Sequence, residues 1–87
     1  MKESESRQAQ EAMIAAVENQ LADNNPPITG ETYRRLASEG YSHDETLKLL
    51  GCVLAVEVYE VMEHNQPFDE ARYTQNLNNL PDLPWDE

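Results

Sequence analysis

Cysteine is nearly absent from this chain, since Cys52 is the only one among 87 residues. A single cysteine excludes a disulfide bond within the chain. Cys52 lies in an apolar run, so the sequence predicts a buried thiol that behaves as a small hydrophobic residue. The polar N-terminal stretch MKESESRQAQ has no apolar segment of the kind found in secretory signals. Both features predict a reducing, cytoplasmic location.

Basic residues are also few. Six lysines and arginines stand against 17 acidic residues, which gives a formal net charge of −11. This charge repels nucleic acid phosphates and anionic lipid surfaces, so we expect neither nucleic acid nor a membrane as a partner. The apolar runs are too interrupted by charge to span a membrane. The charge would suit a basic protein partner or a nucleic-acid mimic, but an ordinary soluble acidic surface is the simpler interpretation.

Recognisable catalytic motifs are missing as well. The three glycines form no phosphate-binding loop, no CxxC pair is present, and no Ser/His/Asp arrangement occurs in a suitable context. The sequence therefore predicts no cofactor and favours a non-enzymatic role, without excluding an enzyme.

The sequence does contain a long helical pattern from Tyr41 to Asn65, which predicts a buried central helix over about residues 42–64. Ser42 and Glu45 have the spacing of a capping box, in which each side chain accepts a hydrogen bond from the other residue's backbone N–H. Apolar residues then recur at steps of three and four: Leu47, Leu50, Gly51, Leu54, Val58, Val61 and Met62. Such spacing is typical of one buried helical face.

Three further helices are predicted around the central one. The first covers about residues 7–22 and ends at the DNNPP turn, where Asn24 or Asn25 can take a left-handed conformation. The second covers about 30–39, with Thr29 as its N-cap and Gly40 after its last turn. Because Ser42 then caps the central helix, a tight corner should join the two. A short fourth helix is expected between its N-cap, Asp69, and Leu80. The predicted fold is all-α: a small bundle of three main helices plus a shorter C-terminal helix around a buried central helix.

One domain should cover residues 7–80, with a frayed N-terminal tail at 1–6 and an extended tail at 81–87. The C-terminal tail contains Leu83 and Trp85 between prolines. These two residues either form a short docking peptide for another protein or fold back to enlarge a small core. Both interpretations stay open at this point.

A second apolar face is expected on the opposite side of the central helix, formed by Leu49, Val53 and Val56. No charged residue occurs from Leu49 to Val56, so the helix should be covered on more than one side. Because the flanking helices offer narrow apolar stripes, we expect a homodimer to complete this cover.

Three segments resemble a family of small uncharacterised bacterial helical proteins that has no assigned activity. They read VENQLADNNPP, RLASEGYSHDETLKLLGCVLAVEVYE and QPFDEARYTQNL. The resemblance implies an all-helical fold, with an H-E-x-x-H run at the start of the central helix and a further histidine in the first helix. Here the run reads DETLK, in which only Glu45 matches, and Ile14 lies near the first-helix position.

The resemblance implies a metal-binding or metal-dependent protein as the alternative function. Two histidines four residues apart on one helical face suit zinc, and this chain lacks them. The remaining candidate ligands are His43, Asp44 and Glu45, with Glu18 from the first helix. The leading hypothesis is a non-enzymatic cytoplasmic interaction or regulatory protein that acts as a helical homodimer. An unidentified protein partner is a further possibility.

Overall fold

The computed structural model describes the backbone of residues 3–85 and the side chains of residues 8–85. Four α-helices follow in order: α1 (Glu3–Asp23), α2 (Pro27–Ser38), α3 (His43–Glu63) and α4 (Glu70–Asn79). The described part of the chain contains no strand. The predicted all-α bundle of three main helices and a shorter C-terminal one is therefore confirmed. None of the described helices combines the length and apolar character that crossing a membrane requires.

The first helix is longer than the sequence pattern indicated. It begins at Glu3 rather than near residue 7, so residues 3–6 continue the helix instead of forming a frayed tail. Met1 and Lys2 lie outside the described residues. The helix stops at Asp23, and Asn24 takes the left-handed conformation predicted for this turn, with φ +52°.

The second helix starts three residues before its predicted start. Pro26 is its N-cap and Pro27 its first residue. Proline is favoured at the first helical position because its missing N–H would have no partner there and its φ is already helical. Thr29 consequently lies inside the helix and is completely buried, whereas its sequence context suggested an N-cap.

A tight corner joins α2 to α3, as the sequence predicts. Gly40 has φ +103°, and its N–H donates to Ala37 O at 3.1 Å. The N–H of Tyr41 donates to Leu36 O at 3.2 Å, which completes a Schellman motif. Only glycine takes this positive φ without a Cβ penalty, so Gly40 fixes where α2 ends.

The predicted capping box begins α3. Ser42 Oγ accepts from the N–H of Glu45 at 3.1 Å, and the N–H of Ser42 donates to Glu45 Oε1 at 2.8 Å. The corner is also tied by a hydrogen bond of 2.6 Å between Tyr33 Oη on α2 and His43 Nδ1 on α3. The central helix then ends at Glu63, and Asn65 takes φ +50°.

The core lies between α3 and the other three helices. Its buried apolar residues are Val17, Leu36, Leu47, Leu50, Val53, Leu54, Tyr73, Leu77 and Leu80. Gly51 lies where α3 packs against α1, and a Cβ at this position would make an ordinary van der Waals contact with Met13 Cβ, at 3.6 Å. The Cα radius of gyration is 12.7 Å, near the value of about 12 Å expected for a compact domain of this length.

The fourth helix is capped by its own sequence at one end and by α2 at the other. Asp69 accepts from the N–H of Arg72 at 3.0 Å, and Phe68 packs edge-on against Tyr73 with ring centroids 5.6 Å apart. At the C-terminal end, Arg35 donates to Leu80 O at 2.9 Å and to Leu77 O at 3.0 Å. Leu77 O also accepts from the N–H of Leu80 at 3.1 Å, so Arg35 adds a second donor to this carbonyl and supplies one to Leu80 O, a role not evident in the sequence.

Candidate interaction surface

The second apolar face expected on the central helix divides between the core and the surface. Val53 is completely buried within the single chain, so its side chain is not available to a partner. Leu49 and Val56 are half-buried. The side of α3 that faces solvent is therefore not the one formed by Leu49, Val53 and Val56, and other residues of the helix are exposed.

The outward side of α3 presents six residues, which we name the α3 stripe: Glu45, Lys48, Cys52, Ala55, Tyr59 and Met62. Their spacing is three, four, three, four and three residues, which keeps all of them on one side of a helix. Tyr59 is 59% exposed and Met62 is 76% exposed, while Cys52 is half-buried. The stripe therefore combines two charged residues near the start of α3 with three exposed apolar residues, Ala55, Tyr59 and Met62, toward its end.

Two depressions flank the α3 stripe. One is the α1–α3 groove, an apolar cavity of about 180 Å³ lined by Ala9, Gln10, Met13, Ile14, Lys48, Gly51, Cys52 and Ala55. The other is a shallower hollow lined by Tyr41, Glu45, Lys48, Leu49 and Cys52. Lys48 and Cys52 border both, so the stripe and its two depressions form one continuous surface.

Two titratable groups within the stripe have shifted pKa values. Partial burial raises the pKa of the Cys52 thiol, which favours the protonated, unreactive form. Hydrogen bonds from the backbone and side chain of Ser42 lower the pKa of Glu45, which therefore stays ionised. A thiol held in its protonated form is a weak nucleophile.

The C-terminal tail divides its two candidate residues between the core and the solvent. Leu83 is half-buried and packs against the core. Trp85 is 55% exposed, so it does not fill the gap between helices as one interpretation required. Asp86 and Glu87 lie outside the described residues.

The four candidate metal ligands do not form a site. Glu18 and Asp44 are exposed, Glu45 is engaged in the capping box, and His43 is bonded to Tyr33. Over the residues that the structure describes, no three His, Cys, Asp or Glu side chains are gathered in a way that could hold a metal ion.

A buried ion pair on the inner side of α3 was missed by the sequence reasoning. Glu57 is 1% exposed and accepts from Arg72 Nε at 2.9 Å, from Arg72 Nη2 at 2.8 Å and from the N–H of Asp69 at 2.9 Å. The hydrogen bonds from Arg72 hold the pKa of Glu57 below its ordinary value. A signal was present, because Glu57 follows Leu50 and Leu54 on the buried face, where a carboxylate needs a cation.

A second buried polar group joins three helices. Gln20 Oε1 on α1 accepts from Thr29 Oγ1 at 2.7 Å and from Tyr73 Oη at 3.0 Å. Burial raises the pKa of Tyr73, so its hydroxyl remains a donor at neutral pH. The polar groups of this network and of the Glu57 pair are thus hydrogen-bonded within the chain.

Comparison with known proteins adds no further constraint: no family model matches the chain, and neither a curated protein nor a solved structure is similar to it.

Proposed function

We propose that this protein is a non-enzymatic interaction or regulatory module that binds a helix of another chain on the α3 stripe. The observation that carries the proposal is the group of exposed apolar residues Ala55, Tyr59 and Met62, which continues from the apolar α1–α3 groove on a strongly acidic protein. Exposed apolar patches with a polar rim are typical of protein–protein interaction sites. An apolar groove between two helices is a common site for a third helix.

Tyr59 and Met62 lie outside the core of the single chain. Met62 and Tyr59 are mostly exposed, and the core is closed by other residues of α3. Apolar side chains that contribute little to the fold gain their stabilisation when a partner removes them from water, at about 25 cal/mol per Å² of apolar surface. This supports an interaction role for the outer side of the helix.

The form we propose is a helical homodimer in a reducing, cytoplasmic compartment. A small core gains cover from self-association, and the stripe is the side of α3 that remains open for it. The proposal of this compartment is supported by the single half-buried thiol, which has no second cysteine in the chain to pair with.

The experiment that tests the proposal places the photo-cross-linking residue p-benzoylphenylalanine at Ala55. The matched control carries it at Ala37, an exposed alanine on α2 outside the stripe. After irradiation in the cells that produce the protein, we expect a discrete cross-linked product from position 55 and none from position 37. Mass spectrometry then identifies the partner as a second copy or a different protein. Equal products from both positions, or none from either, would refute the proposed function.

A further inference from the structure

We infer that the α3 stripe docks on the stripe of a second copy in antiparallel orientation. This inference rests on the proposed function and specifies its partner. It follows from the order of residues along the stripe, from their sizes and from their charges.

The spacing of the stripe is the same read in either direction. Three, four, three, four and three residues separate Glu45, Lys48, Cys52, Ala55, Tyr59 and Met62. A twofold axis across the middle of α3, between Val53 and Leu54, therefore superimposes the pattern on itself. Cys52 then faces Ala55 of the partner subunit, and Lys48 faces Tyr59 of the partner subunit. A C2 interface of this kind uses the same patch on both copies.

Side-chain size favours close approach at the middle of this interface. Cys52 and Ala55 are small and stand at the point where the two helices would meet. Helices pack with their axes about 8–10 Å apart, and small residues at the contact give the shorter distance. The larger Tyr59 and Met62 lie toward one end, where the partner's α1–α3 groove can receive a side chain.

Charge selects the antiparallel orientation over the parallel one. A parallel copy would place Lys48 against Lys48 of the partner subunit and Glu45 against Glu45 of the partner subunit, which is unfavourable. The antiparallel copy places the Lys48 ammonium at the ring of Tyr59 of the partner subunit, a favourable cation–π arrangement that occurs twice by symmetry. Lys48 borders the groove and the shallower hollow, so its position beside an incoming ring is available.

The net charge gives this dimer a characteristic salt dependence. Two copies that each carry −11 repel one another, and salt screens this repulsion over a Debye length of about 10 Å at 0.1 M. The apolar contacts are not weakened by salt. We therefore expect the dimer to become tighter as the NaCl concentration rises, whereas docking of a basic partner would become weaker.

The decisive experiment uses two single-cysteine proteins made in a Cys52→Ser background, one with Lys48→Cys and the other with Tyr59→Cys. The antiparallel register brings these two positions together only across the two different proteins. We expect a covalent dimer when the proteins are mixed under mild oxidation, and none from either protein alone. Each protein contains only one cysteine, so no disulfide can form within a chain. Ala37→Cys in the same background, mixed with the Tyr59→Cys protein, is the control and should not cross-link.

Each other outcome overturns the inference. Cross-linking of the Lys48→Cys protein with itself would indicate a parallel copy. If no cross-link forms and light scattering gives a monomeric mass for the unmodified protein, self-docking is excluded. The proposed function would then hold only if position 55 cross-links a different protein in cells. A wild-type dimer that dissociates between about 0.05 M and about 0.5 M NaCl would also contradict the like-charge interface.

Discussion

The Glu57 pair yields the sharpest prediction, because its carboxylate is 1% exposed and fully hydrogen-bonded. Glu57→Gln keeps the shape of the side chain but removes the charge that Arg72 and the N–H of Asp69 recognise. Hydrogen bonds to charged groups each contribute about 1.5–3 kcal/mol. Since the Arg72 side chain is 33% exposed and can turn toward water, we expect a net loss of about 1–3 kcal/mol in the free energy of unfolding.

This loss is large beside the whole stability of the domain. At about 0.05–0.15 kcal/mol per residue, the chain should unfold with a free energy of about 4–13 kcal/mol. Urea unfolding followed by circular dichroism measures the change directly. With a slope of about 1 kcal/mol per molar urea, the midpoint should fall by roughly 1–3 M. The matched control is Glu63→Gln, an exposed residue of the same helix, which should change stability by less than about 0.5 kcal/mol.

The same pair determines a pH dependence. The pKa of Glu57 is lower in the folded protein than its ordinary value of 4.5, first because of the hydrogen bonds from Arg72. A lowered folded-state pKa means that the stabilising contribution is complete above the unfolded-state pKa and is lost as pH falls through the folded-state pKa. The difference between the wild type and Glu57→Gln should therefore be constant from pH 7 to about pH 5 and should shrink below about pH 4.

Two further variants separate the ion pair from simple loss of side-chain volume. Arg72→Gln should destabilise more than Glu57→Gln, because it leaves the carboxylate buried without its cation. Replacing both residues by methionine should recover much of the loss, since a buried ion pair is often no more stabilising than apolar residues of similar size. A Glu57→Gln protein with wild-type stability, or a difference that does not change with pH, would refute the reasoning.

Three other predictions concern single contacts and can be checked by urea unfolding. Arg35→Ala should cost about 1–2 kcal/mol and speed amide exchange in the last turn of α4, because it removes the hydrogen bonds to Leu80 O and Leu77 O. Arg35→Lys should recover only part of the lost stability. An unchanged exchange rate in Arg35→Ala would contradict the capping role of Arg35. Ser42→Ala should cost about 1 kcal/mol and Ser42→Gly less, and equal stabilities would argue against the capping box. Tyr73→Phe should cost about 1 kcal/mol through the lost bond to Gln20, with Tyr59→Phe as the neutral control.

Local chemistry explains why most helix boundaries could be predicted. Gly40, Ser42 and Asp69 act on the backbone within a few residues of themselves, and the structure confirms the role of each. The errors at helix starts have equally local causes. Helix α2 begins at Pro27 rather than after Thr29, because proline is favoured at the first helical position. Helix α1 begins earlier than expected, at Glu3.

The candidate site could be predicted only in part. The sequence indicated that the central helix has apolar residues on more than one side, and half-buried Leu49 and Val56 agree with that expectation. Val53 was expected on the face that a second copy would cover, but it is buried within the single chain, because the other helices cover a wider arc of α3 than their narrow stripes suggested. Once the buried side of α3 is known, the helical repeat gives the outward residues. The sequence therefore shows which residues share a side of the helix, but not that the α3 stripe is the side that faces solvent.

The sequence by itself determined the all-α class, the corner between α2 and α3 and the caps, since each depends on backbone geometry and hydrogen bonds between near neighbours. Only the tertiary structure decided which side of α3 faces water, that Arg72 neutralises Glu57, and that Arg35 caps α4 across 42 to 45 residues of sequence. These contacts depend on how the helices pack. Packing brings together residues that are far apart along the chain, so no local sequence pattern indicates that they pair.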